Sequence, residues 1–594
     1  MTELRIASFN ASLNRSNEGD LIADLTAPDD TQAQAVAEVI QRVDPDILLI
    51  NEFDFDADGT AAGLFQDNYL SVSQNGQGPV DYPFVYVAPS NTGVPSGVDL
   101  DNDGGIGGPG DAQGFGFFEG QFAFVIYSKY EIDTDNIRTF QEFLWKDMPD
   151  NLLPADPEDA DGNSDTENWY TEEELEVLRL SSKNHVDVPV IVDGEVVHIL
   201  ASHPTPPVFD GPEDRNGTRN HDEIRFWSDY VTPGEGDYIY DDDGVMGGLA
   251  ENQRFVIMGD QNSDPFDGDS VPGAAEQIID NPFVLGSTTD ASITPSSTGG
   301  TAAATNQAGA NTTHTGNPAF DTADFGFAGF TDGVQNPDAE PGNLRVDYAL
   351  PSLAGFDYVD GGVFWQAPDE EPFPLAEFPT SDHRLVFIDV AVEALLEAAD
   401  DAASTVEGVA LSADAATGVL SNDSGPAGDD LTASLVSDVA NGTLSLNADG
   451  SFDYTPDAGF FGEDSFVYAV TDGEATQNAT ATITVEEFAD QGSAGRDRFT
   501  GREGLDDTFV FEVGDTDLFT RDRITDFEAG DTIDLTALGF TSIAEGRNFP
   551  LGEGVLNVID YPGDNAHLIG RSASADVSIL VGGAFEDVLA GILI

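Results

Sequence analysis

The chain has 594 residues, no cysteine, and 111 acidic against only 21 basic residues, which gives a formal net charge of −90. A chain of this length is expected to form several domains, and its acidity argues against a broad basic groove for duplex DNA. High ionic strength or bound divalent cations would offset the self-repulsion. No apolar run reaches membrane-spanning length, so we expect no membrane insertion.

The first part of the chain alternates apolar strands with helices. Leu4–Phe9 and Asp46–Ile50 are predicted strands, and Thr31–Val43 between them has the apolar spacing of an amphipathic helix. This strand–helix–strand beginning indicates an α/β fold. Further strands are predicted over residues 121–128, 186–192, 196–202, 345–350 and 381–390, with a short helix over 171–179, another starting near 222 and one or two helical turns over 391–399.

The stretch Phe255–Pro265 combines a predicted strand with a polar end. Phe255–Met258 is apolar, Gly259 allows a sharp turn, and Asp260 and Asn262 follow two residues apart. If the strand continues, these two side chains point the same way. An acid beside an amide suits hydrolysis, because one can activate water while the other holds an oxyanion or a metal. The alternative is that Asp-x-Asn is only a turn.

Five other polar motifs lie where predicted strands begin or end. They are Ser8-Phe9-Asn10, Asn51-Glu52, Ser202-His203-Pro204, Arg345-Val346-Asp347-Tyr348 and Ser381-Asp382-His383. In this order, and with Gly259-Asp260-Gln261-Asn262, they resemble the endonuclease/exonuclease/phosphatase superfamily, the deoxyribonuclease-I-like fold of metal-dependent phosphoesterases. The resemblance implies an α/β four-layer sandwich, two packed mixed β-sheets flanked by helices, over residues 1–393. Gln261 departs from the family, which usually has an apolar or aromatic residue there.

The resemblance also implies a metal site. Glu52 would bind a divalent cation, Mg²⁺ or Mn²⁺, with help from Asn10 and Asp382. Such a cation polarises the phosphoryl oxygen and neutralises charge in the transition state. An acid that follows a strand is otherwise usually a solvated surface residue.

The same resemblance implies the catalytic residues. Asp260 would orient or deprotonate the attacking water, and Asn262 would help to hold the water or the phosphate. Asp347 would fix the tautomer of His383, which contacts the phosphate. His203 would donate to a phosphoryl or leaving oxygen. Each histidine taken alone could equally be a structural residue.

A few cations in this acidic chain are candidates for binding the substrate phosphate. Lys183 and His185 lead into the strand over 186–192, and Arg215 and Arg219 belong to a segment rich in cations. A phosphate ester needs charge-assisted donors, which these side chains can supply. The alternatives are a solvated strand start for Lys183 and His185, and pairing with local acids for the arginines.

Two acidic loops have the D-x-D-x-D-G spacing of a calcium loop, in which alternate side chains surround one cation. Neither has a glutamate at the twelfth position, so they are not a pair of EF-hands, and an acidic chain also produces such triplets by chance. The candidate calcium ligands are Asp99, Asp101 and Asp103 in one loop and Asp54, Asp56 and Asp58 in the other.

Residues 394–487 and 488–594 are predicted to be two all-β domains. Short alternating strands between Gly/Asn/Asp turns indicate a β-sandwich over 394–487, and this segment resembles bacterial cadherin-like modules. Calcium binding and a spacer role are both open for it. The segment from 488 resembles the C-terminal region of serralysin-type proteases and other RTX exports, with a degenerate repeat at Gly492–Gly501.

Such C-terminal regions serve type I secretion without an N-terminal signal peptide, so we expect a secreted, extracellular protein. The bare N-terminus and the missing cysteines agree with this. The alternative is an acidic intracellular enzyme.

The predicted function is therefore an extracellular, divalent-metal-dependent phosphoesterase that hydrolyses a phosphodiester or phosphomonoester, with Ca²⁺ in structural sites. One alternative is a secreted endonuclease or exonuclease acting on DNA or RNA. Another is a calcium-dependent surface adhesion protein with an inactive enzyme-like domain. The complete set of acid, amide and histidine residues at the strand ends argues against the adhesion protein.

Overall fold

The computed structural model describes most of the chain. The described residues are 2–155, 168–307, 309–325, 330–331, 334–335, 341–372, 375, 380–393, 395–425, 430–473, 475–486, 489–491, 498–501, 506–511, 513, 521–546, 553–561, 565–572 and 575–594. They divide into two compact units, Met1–Leu395 and Leu396–Ile594. In the part of the chain that the structure describes, no helix is long and apolar enough to cross a membrane.

The first unit contains seven of the described helices. They are α1 (Asp20–Leu25), α2 (Thr31–Val43), α3 (Thr60–Phe65), α4 (Glu172–Leu175), α5 (Arg215–Val231), α6 (Glu276–Ile279) and α7 (Thr298–Gln307). The helix predicted over Thr31–Val43 is confirmed as α2, and Asp30 caps it by accepting a hydrogen bond from the Ala33 N–H at 2.7 Å.

The strands of the first unit form two six-stranded mixed sheets and two short ribbons. The strands are β1 (Thr2–Asn10), β2 (Ile47–Asn51), β3 (Phe84–Ala88), β4 (Phe124–Ser128), β5 (Glu131–Ile132), β6 (Arg138–Thr139), β7 (His185–Val192), β8 (Glu195–Ser202), β9 (Phe255–Asp260), β10 (Ala323–Asp324), β11 (Phe330–Thr331), β12 (Val334–Gln335), β13 (Asn343–Leu344), β14 (Asp347–Pro351), β15 (Phe356–Val363) and β16 (Val386–Val392). The first sheet has the order β15-β16-β1-β2-β4-β3, and the second has the order β14-β9-β8-β7-β5 with β6 beside β7.

Alternate residues of the central strands enter different cores. Leu4 and Ile6 of β1 belong to a cluster shared with buried residues of the second sheet, whereas Ala7 and Phe9 pack with the helix α2. Because successive side chains point to opposite faces of a strand, such a strand must be apolar throughout. A third cluster places α5 and α6 against the second sheet. The two mixed sheets are confirmed, and the clusters support the four-layer order, which remains a prediction.

Two predicted elements of the first unit differ from the structure. The turns predicted as helix over residues 391–399 are absent from its described residues, because β16 continues to Val392 and pairs with β1. The helix expected from about residue 222 begins earlier, at Arg215. That earlier start places Arg215 and Arg219 on the helix, which changes what their side chains can contact.

The second unit begins with two facing sheets that share a core. Its strands are β17 (Asp401–Val406), β18 (Leu411–Ala413), β19 (Thr432–Ser437), β20 (Gly442–Leu446), β21 (Phe452–Pro456), β22 (Gly462–Thr471) and β23 (Thr476–Glu486). They pair in the orders β17-β23-β22-β19 and β18-β21-β20. Phe452 and Tyr454 from one sheet and Phe466 and Tyr468 from the other lie in one apolar cluster. The expected all-β character is confirmed here.

The second unit continues with strands that alternate between two further sheets. They are β24 (Ala489–Gln491), β25 (Arg498–Thr500), β26 (Thr508–Val510), β27 (Asp522–Thr525), β28 (Thr532–Asp534), β29 (Ser542–Glu545), β30 (Val555–Tyr561), β31 (Asn565–Arg571), β32 (Asp576–Gly582) and β33 (Ile592–Leu593), with the helix α8 (Phe585–Ala590). From β24 to β28 each strand pairs in parallel with the next but one. Most of the repeat predicted at Gly492–Gly501 lies outside the described residues.

Candidate active site

The predicted motifs meet where strand ends of the first sheet lie next to strand ends of the second sheet. Asn10 and Asn51 end the parallel strands β1 and β2 and are register partners. Asp260 ends β9, and its antiparallel partner is Asp347, the first residue of β14. Because the carboxyl ends of parallel strands share an edge with the amino ends of antiparallel neighbours, motifs far apart in sequence converge. The Asn10 Nδ2 group joins the sheets by donating to Asp260 Oδ2 at 3.0 Å.

Asp260 is the centre of this site. In addition to the Asn10 contact, its Oδ2 lies 3.5 Å from His203 Nε2 and 3.6 Å from His383 Nε2. Burial raises the pKa of Asp260, the His383 ring opposes the rise, and the Asp347 carboxylate adds to it. A buried carboxylate with a raised pKa is a stronger base than a solvated one, so Asp260 can take a proton from water.

His383 is held by Asp347. Its Nδ1 lies 2.9 Å from Asp347 Oδ2, and Phe325 packs edge-on against the ring with centroids 5.4 Å apart. Burial alone would lower the pKa of His383, but the Asp347 and Asp260 carboxylates outweigh it and hold the pKa well above its ordinary value. The ring is therefore a cation whose second N–H faces Asp260 and any ligand bound there.

His203 has the opposite charge state. Burial, then the Lys183 ammonium and then the His383 ring lower the pKa of His203 well below its ordinary value. The ring is therefore neutral. Its Nδ1 is buried and makes no hydrogen bond within the described residues. The nitrogen that faces Asp260 is Nε2, at 3.5 Å from Oδ2.

The predicted metal ligands form the other side of the site. Glu52 follows β2, its Oε1 accepts from Asn10 Nδ2 at 3.1 Å, and its Oε2 accepts from Asn14 Nδ2 at 2.7 Å. Burial, followed by the nearby Asp382 carboxylate, raises the pKa of Glu52. A divalent cation would remove this repulsion, and carboxylate and amide oxygens are the ligands that Mg²⁺ and Mn²⁺ prefer. The Glu52 and Asp382 carboxylates fit such an ion, whereas the Asn10 amide turns its Nδ2 toward Glu52 and its Oδ1 accepts from the Ser12 N–H at 3.2 Å.

A second group of close metal-ligand atoms overlaps the predicted catalytic residues. Ligand atoms of Asp260, Asp347 and His383 all lie within 4.8 Å of one another. We interpret this group as proton-transfer residues, because the Asp347 contact occupies Nδ1 of His383 and the Nε2 atom faces Asp260.

Asn262 lies in the site, although not as the strand pattern predicted. The strand ends at Asp260, Asn262 has a φ of 52°, and its N–H donates to Asp260 Oδ1 at 2.9 Å. The Asn262 Nδ2 donates to Pro204 O at 3.1 Å. Gly259 lies within the strand and allows the backbone of Ser202 to come close, since a Cβ there would lie 2.0 Å from Ser202 O. The glycine lets β9 pack beside the end of β8.

Lys183 is the predicted phosphate-binding cation that the structure brings to the site. The side chain is only 6% exposed, and its Nζ donates to Pro204 O at 3.3 Å, the same oxygen that Asn262 contacts. Burial lowers the pKa of Lys183, and carboxylates of Glu223, Glu52 and Asp260 oppose this effect. Lys183 therefore interacts electrostatically with Glu52 on the metal side and Asp260 on the catalytic side of the site.

The other three predicted phosphate ligands have structural contacts instead. His185 is buried between Phe226 and Trp227, and its nitrogens contact Ser181 Oγ at 2.5 Å and Glu223 O at 2.8 Å. Its substrate role is therefore wrong, because both nitrogens are used inside the core.

The two arginines are corrected for similar reasons. The buried Arg219 guanidinium donates to three carbonyl oxygens, those of Leu180, Gln113 and Arg179. Arg215 donates to Glu213 Oε1 at 2.6 Å and lies over the Trp169 ring. Arg219 thus ties loops together, and Arg215 is paired with a local acid.

The two calcium-like loops differ. Ligand oxygens of Asp99, Asp101 and Asp103 lie within 4.8 Å of one another, as the prediction requires. In the other loop, the Asp56 carboxylate accepts from the Thr60 and Ala61 N–H groups at the start of α3, and Asp54 accepts from Arg15 N. Among the described residues, the ligand oxygens of Asp54, Asp56 and Asp58 form no such close group, so the calcium site at this loop stays a prediction without support from the structure.

Two supporting residues escaped the sequence analysis. Asn14 donates to Glu52 Oε2, and Thr322 Oγ1 accepts from the N–H groups of Val346 and Asp347 at 3.0 and 2.9 Å. Asn14 lies four residues after Asn10, and Thr322 lies in a loop-rich segment with no periodic pattern. Neither position carries a signal that could be found from one sequence.

Two family models match the chain. The model described as "Endonuclease/Exonuclease/phosphatase family" matches residues 7–383, and the model described as "Bacterial cadherin-like domain" matches residues 394–487. The two corresponding resemblances are thus confirmed, whereas the RTX/serralysin resemblance of the last segment stays a prediction. No curated protein matches the chain.

Solved structures also match at low identity. The beta toxin from Staphylococcus aureus is 13% identical, and the match covers 66% of this chain and 99% of the toxin with a TM-score of 0.32. Sphingomyelinase C from Streptomyces griseocarneus is 11% identical, with the same coverage of both chains and a TM-score of 0.32.

Proposed function

Because the chain belongs to the Endonuclease/Exonuclease/phosphatase family, we propose that it is a metal-dependent hydrolase of small phosphate esters. The observation that carries this proposal is the arrangement around Asp260. One amide and two histidines of different charge converge on its Oδ2 within 3.6 Å. This combination supplies a base for the attacking water and hydrogen-bond donors for the phosphoryl oxygens.

Each residue has a separate task in this reaction. Asp260 accepts a proton as water attacks the phosphorus, and Asn262 holds the water or the phosphate. The cationic His383, oriented by Asp347, donates to a phosphoryl oxygen. The neutral His203 donates a hydrogen bond from its ring N–H to the phosphoryl or leaving oxygen as the ester bond breaks, and the leaving oxygen takes its proton from solvent water.

Glu52, Asn10 and Asp382 would hold the divalent cation. Magnesium or manganese bound there would polarise the phosphoryl oxygen and neutralise charge in the transition state. Without it, the part-buried Glu52 faces the Asp382 carboxylate, which raises its pKa. We therefore expect chelation to abolish hydrolysis and also to destabilise this edge of the sheets.

The positive charge around the site favours a substrate with few phosphates. Of the four side chains predicted to contact phosphate, Lys183 lies beside Asp260 and Glu52, while Arg215, Arg219 and His185 are engaged elsewhere. The formal charge of −90 repels any polyanion. A phosphodiester or phosphomonoester of a small alcohol suits this balance better than DNA or RNA does.

We further propose that the enzyme acts outside the cell. The match to a bacterial cadherin-like domain supports this location. Type I secretion machinery as a partner, and structural calcium at Asp99, Asp101 and Asp103, belong to the same proposal.

The test is hydrolysis of bis(p-nitrophenyl) phosphate, p-nitrophenyl phosphate and plasmid DNA with magnesium, manganese, calcium or chelator. We expect turnover of a small ester that chelator abolishes. Plasmid nicking would favour the nuclease, and absence of turnover with every metal would reject the enzyme and leave the adhesion protein.

The first variant to measure is Asp260→Asn. It removes the proton acceptor and should lower kcat by about 10³-fold, within the range for a general base. The matched control is Asp389→Asn, which removes a carboxylate paired with Arg5 on the first sheet and should leave kcat unchanged. Equal activity of Asp260→Asn and the wild type would refute the assignment.

A further inference from the structure

The helix α5 carries polar side chains on its buried face. Asn220 and Glu223 are fully buried, as are their neighbours Ile224 and Trp227. Residues spaced three and four apart lie on one side of a helix, so these four share the face that packs on the second sheet. A fully buried glutamate is rare unless its charge is compensated. Its partners therefore indicate what the helix is for.

Glu223 connects two segments of the active site. Its Oε1 accepts from the Ser182 N–H and its Oε2 from the Thr205 N–H, each at 2.6 Å. Ser182 precedes Lys183, and Thr205 follows His203 and Pro204. Hydrogen bonds to a buried carboxylate are short and strong, so a single side chain sets the spacing of these two segments.

Asn220 and Trp227 connect the third segment. The Asn220 Nδ2 donates to Thr205 O at 2.8 Å and to Gln261 O at 2.9 Å. The Trp227 Nε1 donates to Ser202 Oγ at 3.0 Å, and Gln261 Nε2 contacts the same hydroxyl at 3.1 Å. Gln261 lies between the catalytic Asp260 and Asn262, in a position where the family usually has an apolar residue. The polar residue is explained by this buried network.

These contacts meet at one atom of the site. Pro204 O accepts from both Lys183 Nζ and Asn262 Nδ2. Glu223 fixes the residues next to Lys183 and Pro204, while Asn220 fixes those next to Pro204 and Asn262. A shift of the Pro204 carbonyl would therefore displace the cation and the amide together.

We propose that α5 is the positioning element of the active site, with Glu223 and Asn220 as positioning residues for Lys183, His203 and Asn262. The Glu223 carboxylate also supplies the buried negative charge that accompanies the Lys183 ammonium. This inference rests on the proposed function, because it states which residues set the geometry of that reaction.

The principal test is Glu223→Gln in the full chain. Glutamine has the same shape, but it presents an NH₂ group to one of the two backbone N–H groups and removes the charge. Misplacement of reacting groups by about 1 Å can cost about 100-fold in rate. We expect kcat for bis(p-nitrophenyl) phosphate to fall by about 10- to 100-fold, with KM changing much less.

The matched control lies on the same helix. Arg225 donates to Pro149 O and Asp150 O, so Arg225→Gln removes a loop contact that leads to no catalytic segment. It should lower the unfolding temperature without changing kcat. If Glu223→Gln keeps the wild-type kcat, or if Arg225→Gln loses as much activity as Glu223→Gln does, the proposal is overturned.

Two further measurements keep the proposal testable. If Glu223→Gln does not fold, Asn220→Ala replaces it and should show the same fall in kcat. Wild-type kcat in Asn220→Ala would overturn the proposal.

If the wild type hydrolyses no ester, the proposed function fails, and hydrogen exchange decides the positioning role. Glu223→Gln should lose protection at the Ser182 and Thr205 amides and weaken inorganic phosphate binding. Unchanged hydrogen exchange and unchanged phosphate binding would overturn the positioning role.

Discussion

At the scale of single residues, His203 and His383 show how position decides charge. Both ring Nε2 atoms lie within 3.6 Å of Asp260 Oδ2. His383 has a second carboxylate, Asp347, on its other nitrogen, whereas His203 has Lys183 nearby. The carboxylate favours the cation and the ammonium disfavours it. Two histidines at one oxygen can therefore perform different steps.

The burial of His185 predicts how the stability of the protein depends on pH. Burial lowers the pKa of His185 from 6.5 to about 4, so the folded protein keeps it neutral while the unfolded chain protonates it below its ordinary pKa. Its contribution to stability is complete above pH 6.5 and is lost as the pH falls toward 4. The loss is on the order of 3 kcal/mol.

The variant His185→Gln checks this contribution. Its free energy of unfolding should be lower than that of the wild type at pH 7, and the difference should shrink between pH 6.5 and 4. Urea unfolding at several pH values measures both. A difference that stays constant over this range would contradict the prediction.

At the scale of elements, the sequence predicted the positions of residues at strand ends better than the positions of residues on helix faces. Asn10, Glu52, Asp260 and His383 follow or precede apolar strands, and strand topology alone brings such ends to one edge. The placement of Arg219 depended instead on where α5 begins. Once Arg215 is the first helical residue, Arg219 lies one turn later on the buried face.

The supporting residues of α5 did leave a signal in the sequence. Asn220, Glu223, Ile224 and Trp227 follow the spacing of one helical face, and two polar residues on an otherwise apolar face indicate buried partners. What those partners are could not be inferred, because Ser182, Thr205 and Gln261 come from three separate segments. Their meeting is a property of the tertiary structure.

The hydrogen bonds at the first turn of α3 predict how much Asp56 contributes to stability. Asp56 accepts from the Thr60 and Ala61 N–H groups at 2.7 and 2.9 Å, donors that a helix otherwise leaves unsatisfied. Asp56→Ala should lower the free energy of unfolding by about 1 kcal/mol, equally with calcium and with chelator. Chemical unfolding in both conditions measures this.

The other acidic loop provides the comparison for that measurement. Asp101→Ala should reduce stability only when calcium is present, because its carboxylate belongs to the group of close oxygens at Asp99 and Asp103. If Asp56→Ala were destabilising only with calcium, the calcium site predicted for the loop over residues 54–59 would be supported.

At the scale of the whole molecule, charge is the dominant feature. The chain has 111 acidic and only 21 basic residues, and the excess acidic residues repel one another more in the folded state than in the expanded one. Added salt shortens the screening length from about 10 Å at 0.1 M to about 3 Å at 1 M. The unfolding temperature should therefore rise with sodium chloride over this range.

A comparison of anions isolates the screening effect. Chloride and sulfate at equal ionic strength should raise the unfolding temperature equally while the salt is dilute, and differ only at higher concentration, where sulfate also strengthens apolar burial. An unfolding temperature that does not change with dilute salt would mean that bound cations already neutralise the surface.

The pairing of β1 with β16 has a consequence for how the catalytic unit folds. Residues Thr2 and Val392 are neighbours in the sheet, as are Ser8 and Val386, so the central strand gains its second partner only after nearly four hundred residues. Contacts between such distant segments form slowly, because a long loop must close first. A nascent chain that stops before Val386 holds Asn10 and Glu52 beside an unpaired strand edge. Such a fragment would aggregate instead of retaining partial activity.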